Sequence, residues 1–564
     1  MAPLFLFMIR SCTFFTTPYE NEAKISVEHI EAAGEINYRI NVKDGPVDII
    51  FSFTNINESG KADTPDVDEK SITVNGVSFP APTPQALEFP EENLDPFAAF
   101  IQKSSDKLLS KLQSKSTIKN VMPKVDPPSY DIIGDTSNFI VPDAAYRPVL
   151  EAATCRYVSA EPIQTAQGKR TLNIWVADDC WLGPGPKRHY INSDMVLALA
   201  NRFLKDGLDN DIYDWVTNIL GPEWGNTGYN NLIASNNEIT ILLSDIIDEY
   251  GDNIDDGGAV GYFTNLHNFT ADFDENSNER IMFVVDAVMY ANPSNEGYAP
   301  DGTSWSTADY WPKIVFSTLA HEFQHMVHFY QKTVLRAGGR NTEAWINEMC
   351  SMLIEDFLAD KMGVEGPRGV APADPTAGPA GNEDGRIPFF NKHLFRSVIV
   401  KDNAAFYLED YSTAYALGAW LARNYGGVDF LRNVALSDNT DKTAIEQAVR
   451  DFTGGEETFE RLLERWGAAI FLSNKTEAPP LYRYNSGGWF SSSSEGNSYN
   501  LGSINLYNYY PAPDFATSPY QLANSLTKPG SNVYLLAAQN ATGELEWDIE
   551  VPEDVRLTVI FKGR

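Results

Sequence analysis

His321-Glu322-Phe323-Gln324-His325 lies within residues 311–332, a stretch that contains no glycine and has its single proline, Pro312, at the start. The spacing predicts a helix, on which residues i and i+4 stand one above the other with Cβ atoms about 5–6 Å apart. Two imidazoles so placed can share one metal ion, and zinc suits them, being tetrahedral and tolerant of nitrogen donors. Glu322 lies beside the pair, where a carboxylate can take the proton of a metal-activated water. With seven histidines in 564 residues, the chance expectation of this pattern is under about one per cent. Whatever fold the chain adopts must therefore hold this helix against a second source of ligands.

A catalytic zinc takes a third protein ligand and keeps a fourth position open. Residues 341–360 predict a second helix, capped by Asn341 or Thr342, with Trp345, Ile346, Met349, Leu353 and Phe357 on its buried side. Glu348 and Glu355 are seven apart and share a face, so one can ligate while the other accepts the spare N–H of a ligating histidine. His328 extends the first helix face and is a rival ligand, but three ligands from one straight helix spread poorly around a tetrahedral ion. Cys350, two positions from Glu348, points elsewhere and reads as a core thiol.

His321 to Met326 together with Glu343-Ala-Trp-Ile-Asn-Glu-Met349, following Asn173-Ile-Trp-Val-Ala-Asp-Asp179, resembles the hyicolysin family of bacterial metallopeptidases. More distantly it is similar to thermolysin-like peptidases and to aminopeptidases with Trp-Leu-Asn-Glu-Gly. The likeness runs over residues 145–480. It implies an exported zinc endopeptidase acting on protein or peptide substrates, with metal ligands His321, His325 and Glu348 and Glu322 as the base. Met352 stands where thermolysin-like enzymes carry an orienting aspartate, so that role passes to Glu355, at the offset the aminopeptidases use. Tyr415-Ala-Leu-Gly-Ala419 resembles the aminopeptidase segment bearing the tyrosine that stabilises the oxyanion, which makes Tyr415 the candidate donor and Tyr411 its alternative. The aminopeptidase segment that holds a free amine is absent, which favours internal cleavage.

Around this centre we expect an α+β fold: a thermolysin-like catalytic domain at 145–480, with a mixed sheet and a helical half, flanked by β domains. Runs at 36–42 and 47–53, separated by turn residues, predict a small N-terminal β domain, which with its Pro-rich linker occupies 21–144. Strand-like runs at 171–177, 238–243 and 280–286 alternate with helical patterns, and 310–472 is mainly helical. Three β runs between 532 and 561 predict a C-terminal β-sandwich-like domain at 481–564.

With 43 basic and 77 acidic residues the formal charge is −34, which repels nucleic-acid phosphates and argues for solubility. No apolar run is long enough to span a bilayer. Residues 1–20 begin with an apolar run broken at Arg10, a degenerate or truncated export signal, and Cys12 is a candidate for lipidation. Both features point to an extracytoplasmic, secreted or surface-attached protein. Cys155 and Cys180 are compatible with a disulfide or with two thiols. Residues 272–278 place oxygen-bearing side chains at alternate positions, as calcium loops begin, and the acidic stretch 245–256 is similarly ambiguous. Two other functions fit the chain: a surface adhesin with a vestigial peptidase centre, and a metal-dependent hydrolase of a non-peptide bond.

Overall fold

The computed structural model describes residues 12–15, 25–31, 33–57, 73–74, 77–78, 95–115 and 131–563, the last stretch without 184–186, 236, 248–258, 295–296, 298, 301, 395–397, 400–407, 486–487, 495 and 514–529. The apolar run at 1–9, the Pro-rich linker stretches and most of the acidic stretch 245–256 lie outside the described residues.

The two ends of the chain form one sheet. It is built from β1 (Cys12–Phe15), β2 (Ile25–Ile30), β3 (Gly34–Asn55), β15 (Asn532–Val551) and β16 (Val555–Gly563). The runs at 36–42 and 47–53 are one strand, β3, which passes through Gly45 at φ +110 without a turn. Opposite it the runs at 532–537 and 544–551 are likewise one strand, β15, whose register shifts between Leu536 and Gly543 let it bend with its partner. Alternate residues Ile36, Tyr38, Ile40 and Val42, then Val47, Ile49, Phe51 and Phe53, are buried. The bend curls this apolar face upon itself: Tyr38 and Phe51 have ring centroids 6.1 Å apart, and Trp547 packs against both at 6.0 and 5.4 Å. The separate β domains expected at 21–144 and 481–564 are thus corrected to one shared sheet. A strand needs hydrogen-bonded neighbours, and β3 finds β15 on one side and β16 on the other. β4 (Thr73–Val74) and β5 (Val77–Ser78) make a small ladder.

The helix α1 (Pro96–Lys115) precedes a mixed central sheet of β6 (Thr136–Pro142), β7 (Pro148–Val158), β8 (Ile163–Thr165), β9 (Gly168–Ala177), β10 (Glu238–Ser244), β11 (Gly261–Tyr262) and β12 (Met282–Asp286). Its order is β11-β12-β10-β9-β7-β6, with β8 on β9. β9, β10 and β12 are parallel and buried on both faces, hence their near-continuous apolar runs. Ile174, Val176, Ile241, Leu243 and Phe283 belong to the main core, while Trp175, Leu242 and Val284 join Phe97 and Phe139 on the other side. The main core also takes in α2 (Ser193–Phe203), α3 (Ile212–Leu220), α4 (Ala287–Ala291) and α5 (Tyr310–His328). Cys155 and Cys180 are buried, free thiols in separate apolar layers, so no disulfide joins them.

The helical half follows as α6 (Ala344–Met362), α7 (Ile387–Lys392), α8 (Leu408–Asn424), α9 (Val428–Ala435), α10 (Thr443–Thr453) and α11 (Phe459–Leu472), then a hairpin of β13 (Phe490–Ser494) and β14 (Asn497–Leu501). Helix α11 docks on the terminal sheet. Tyr534 donates to the Gly467 carbonyl at 2.5 Å, and a Cβ at Gly467 would stand 2.3 Å from Asn532 Oδ1, so only glycine permits that approach. No described helix is long and apolar enough to cross a membrane.

Because Trp547 is enclosed by both ends of the chain, Trp547→Ala should destabilise the protein by about 3–5 kcal/mol. Urea unfolding followed by circular dichroism measures this, and a loss below about 1 kcal/mol would mean that the terminal sheet does not share the core's cooperativity.

Candidate metal centre

Helix α5 carries Val315, Phe316, Leu319, Ala320, Phe323, Met326 and Val327 into the core. This leaves His321 and His325 on the face toward α6, their ring centroids 4.7 Å apart. Glu348 and Glu355 reach that face from α6, as their spacing requires. His321 Nδ1 lies 2.8 Å from Glu355 Oε1 and its Nε2 3.2 Å from Glu348 Oε2, while His325 Nε2 lies 3.4 Å from Glu348 Oε1. Glu355 accepts a second hydrogen bond, from Ser317 Oγ at 2.5 Å. Ser317 carries no motif of its own, although its position four residues before His321 puts it on the same helical face.

Among the described residues, His321, His325 and Glu348 form the group of metal-type ligands that converges, with ligand atoms all within 4.8 Å of one another. Ligands held about 2.0–2.2 Å from a tetrahedral ion stand about 3.3–3.6 Å apart, and the two Glu348 oxygens lie 3.2 Å from His321 Nε2 and 3.4 Å from His325 Nε2. Two imidazole nitrogens and a carboxylate oxygen, all within 4.8 Å of one another, therefore fit a zinc ion in number and chemistry. Glu355, holding Nδ1, turns the His321 Nε2 toward Glu348. Burial opposes charge on His321, yet the Glu348 and Glu355 carboxylates hold its pKa well above the ordinary imidazole value. Burial opposes charge on Glu348 too, but His325 and His321 keep it well below the usual carboxylate range.

Glu322 is buried beside this group, and its Oε2 accepts the Phe263 backbone N–H at 2.8 Å. Burial lifts its carboxyl and the two histidines pull it back, leaving it above the usual carboxylate range. Phe263 follows the edge strand β11, which lies close against α5. A Cβ at Gly261 would meet Thr318 Cγ2 at 2.8 Å and the Val284 carbonyl at 3.1 Å. The group opens into a cleft of about 750 Å³, bordered by α1, the edge strand, α5, Glu348, residues 364–367 and 383–386, and Tyr411.

His328 faces away from the cleft. Its Nε2 lies 2.9 Å from Thr342 Oγ1 and its Nδ1 3.2 Å from Gln324 Nε2, and burial holds its pKa well below the ordinary value. Thr342 is thus committed to His328 and Asn341 donates to Asp106, so neither caps α6 as expected; the N-cap position is Glu343. Cys350 is a buried thiol pushed up to about 12 by burial.

Tyr415 is the largest departure from expectation. It is fully buried and its hydroxyl donates to Asp356 Oδ2 at 3.1 Å, where Arg423 Nη1 also binds at 2.9 Å. One turn earlier on α8, Tyr411 lines the cleft, its ring beneath the Arg386 guanidinium at 5.4 Å. Burial raises the Tyr411 phenol well above its usual value, and the nearby charges of Glu348 and Asp95 add to that. Within 272–278, Asp274 Oδ1 accepts the Asn276 N–H at 3.1 Å and Ser277 donates to the Phe269 carbonyl, so this stretch is a turn bonded partly to itself.

With Tyr415 in a buried polar triad, Tyr415→Phe should cost about 1 kcal/mol of stability, the worth of one hydrogen bond. Asp356→Ala, which takes the counter-charge from buried Arg423, should cost about 3–5 kcal/mol. Chemical denaturation of both variants checks the ordering, and the reverse order would remove Asp356 from the centre of the triad.

Residues 153–366 match the family model of Peptidase M30. This is a narrower span than 145–480, and it contains β9 to α6 with His321, Glu322, His325, Glu348 and Glu355. The chain is also 23% identical over 326 residues to the neutral metalloprotease ShpI of Staphylococcus hyicus, covering 56% of this chain and 59% of that protein. It thus spans about three fifths of the length of the relative it matches. Across the central sheet and the two helices that build the site, the chain is similar to the M30 peptidases.

Proposed function

We propose that this protein is a zinc-dependent endopeptidase that hydrolyses internal peptide bonds of proteins. The observation that carries the reading is the convergence of His321, His325 and Glu348 on one point, with Glu322 beside it at the wall of an open cleft. The M30 match over this segment and the likeness to a neutral metalloprotease support a peptidase.

His321, His325 and Glu348 would hold the ion, which when bound supplies a Lewis acid for a water and the scissile carbonyl. Glu355 fixes the His321 ring and is itself steadied by Ser317. Glu322 takes the proton of the attacking water and passes it to the leaving amine. Its carboxyl, raised above the usual carboxylate range by burial, gives up the collected proton less readily to water and so can carry it to the amine. The Phe263 N–H orients the carboxylate from the side of the edge strand. Tyr411, in the cleft, takes the role expected of Tyr415: its O–H donates to the oxygen that becomes negative as water adds. Such a donor stays protonated, because burial and the neighbouring carboxylates oppose ionisation. The apolar run at 1–9 supports export of the protein.

Casein digestion that a zinc chelator abolishes, and that restored zinc recovers, tests the reading directly. In that assay Glu322→Gln should keep its zinc and lose about 10²–10⁴-fold in turnover, and Tyr411→Phe about 10²-fold with little change in KM. Undiminished digestion by Glu322→Gln would remove it as the base. For the ligand set, metal analysis of dialysed protein should find Glu348→Ala depleted of zinc and His328→Ala still loaded; the opposite ordering would move the third ligand onto α5.

A further inference from the structure

Helix α1 comes from chain that lies before the matched peptidase segment, yet its first two turns line the cleft. Asp95 begins it by accepting the Ala98 N–H at 2.8 Å. Phe97 packs edge-on against Tyr262 of the edge strand, ring centroids 5.2 Å apart, and Phe100 stacks on Tyr146 at 5.2 Å. Further along, Ser105 Oγ accepts from Asn265 Nδ2 and Asp106 Oδ1 from Asn341 Nδ2, both at 2.8 Å. Asn265 follows the edge strand by three residues and Asn341 precedes α6 by three. The helix is therefore tied to both sides of the cleft, the strand side and the Glu348 side. Leu108, Leu109 and Leu112, at most 4% exposed, sink its last turns into the main core. These ties make α1 a built-in wall.

That wall carries an apolar patch between two polar side chains, Asp95 and Gln102, which also line the cleft. Ala98 and Ile101 line it, and Ile101 and Ala259 each border the apolar layer that holds Phe97 and Tyr262. Elsewhere the lining mixes apolar side chains, Ile314, Val364 and Phe389 among them, with charged ones: Lys313 pairs with Glu365 at 2.8 Å, and Arg386 borders the loop opposite. An apolar substrate side chain against Ile101 is removed from water at a gain, whereas an acidic one would be desolvated there and would face the Asp95 carboxylate.

Resting on the endopeptidase reading, we propose that α1 is a specificity element, in which Ile101 forms the floor of a subsite for an apolar side chain flanking the scissile bond. Ile101 acts on which bond is chosen, while the metal group and Glu322 act on its cleavage.

The test maps cleavage sites in unfolded casein by mass spectrometry with the full zinc-loaded chain, then measures kcat/KM on two peptides that differ only in Leu or Glu at the favoured position. Chelator-sensitive cleavage by the parent establishes the peptidase reading, and its absence would overturn that reading on its own. Given that cleavage, Ile101→Arg should lower the Leu-to-Glu preference by about tenfold or more. Ile101→Ala, the gentler variant, should shift preference toward bulkier apolar residues. Lys103→Glu, on the exposed side of α1, should leave the map unchanged and so control for charge. A parental cleavage map from both Ile101 variants, whatever their melting temperatures, would overturn the proposal.

Discussion

The face along which α5 meets α6 governs the candidate centre. His321 is held between two carboxylates of one helix, Glu348 at its Nε2 and Glu355 at its Nδ1. That double contact sets the rotation of α5 against α6, and His325 then meets the other oxygen of Glu348. Isolated charges would not survive at this depth, because desolvation costs each several kcal/mol. Here they persist by compensating one another, and a cation bound by the group would take the place of the proton on the ligating imidazole. The apolar sides of both helices hold the register, with Trp345, Ile346, Met349 and Leu353 of α6 all fully buried.

From this helix pair the cleft is built outward. The edge strand is pressed so close to α5 that Gly261 has no room for a side chain, and the next backbone N–H but one reaches Glu322. Helix α1 closes a side of the cleft by bonding to the strand side and to the α6 side at once. Behind the helical half, α11 rests on the terminal sheet through Tyr534 and through His29, whose Nδ1 lies 2.9 Å from Glu464. Strands β2 and β15, from the two ends of the chain, thus buttress the helical half through α11.

Much of this was legible in the residues. The i and i+4 histidines, the seven-residue interval from Glu348 to Glu355 and the three apolar strand runs are short-range patterns with fixed geometric meanings. Each corresponds to an element of the structure, and the helical stretch expected over 310–472 runs from the start of α5 to the end of α11. Tyr411 and Tyr415 show where such reading stops. They lie one turn apart on the same helix, and periodicity puts them on one face without saying which turn meets the cleft and which meets Asp356 and Arg423. The caps expected at Asn341 and Thr342 failed for the same reason, since partners distant in sequence, Asp106 and a histidine of another helix, claimed both side chains.

The chain's ends carry the same lesson at larger scale. Alternation in 36–53 and 532–561 determined that these residues form strands with one apolar face, because a two-residue period has no other regular use. It could not say that the strands pair with each other across some five hundred residues, since hydrogen bonds between strands leave no trace in either sequence. By itself the sequence determined the type of the main elements and singled out the candidate ligand group, both of which follow from local spacing. Only the tertiary structure decided that the terminal strands share one sheet, that α1 borders the cleft and that Tyr411 rather than Tyr415 faces it. Those outcomes depend on which surfaces meet, and that is set by packing of the whole chain.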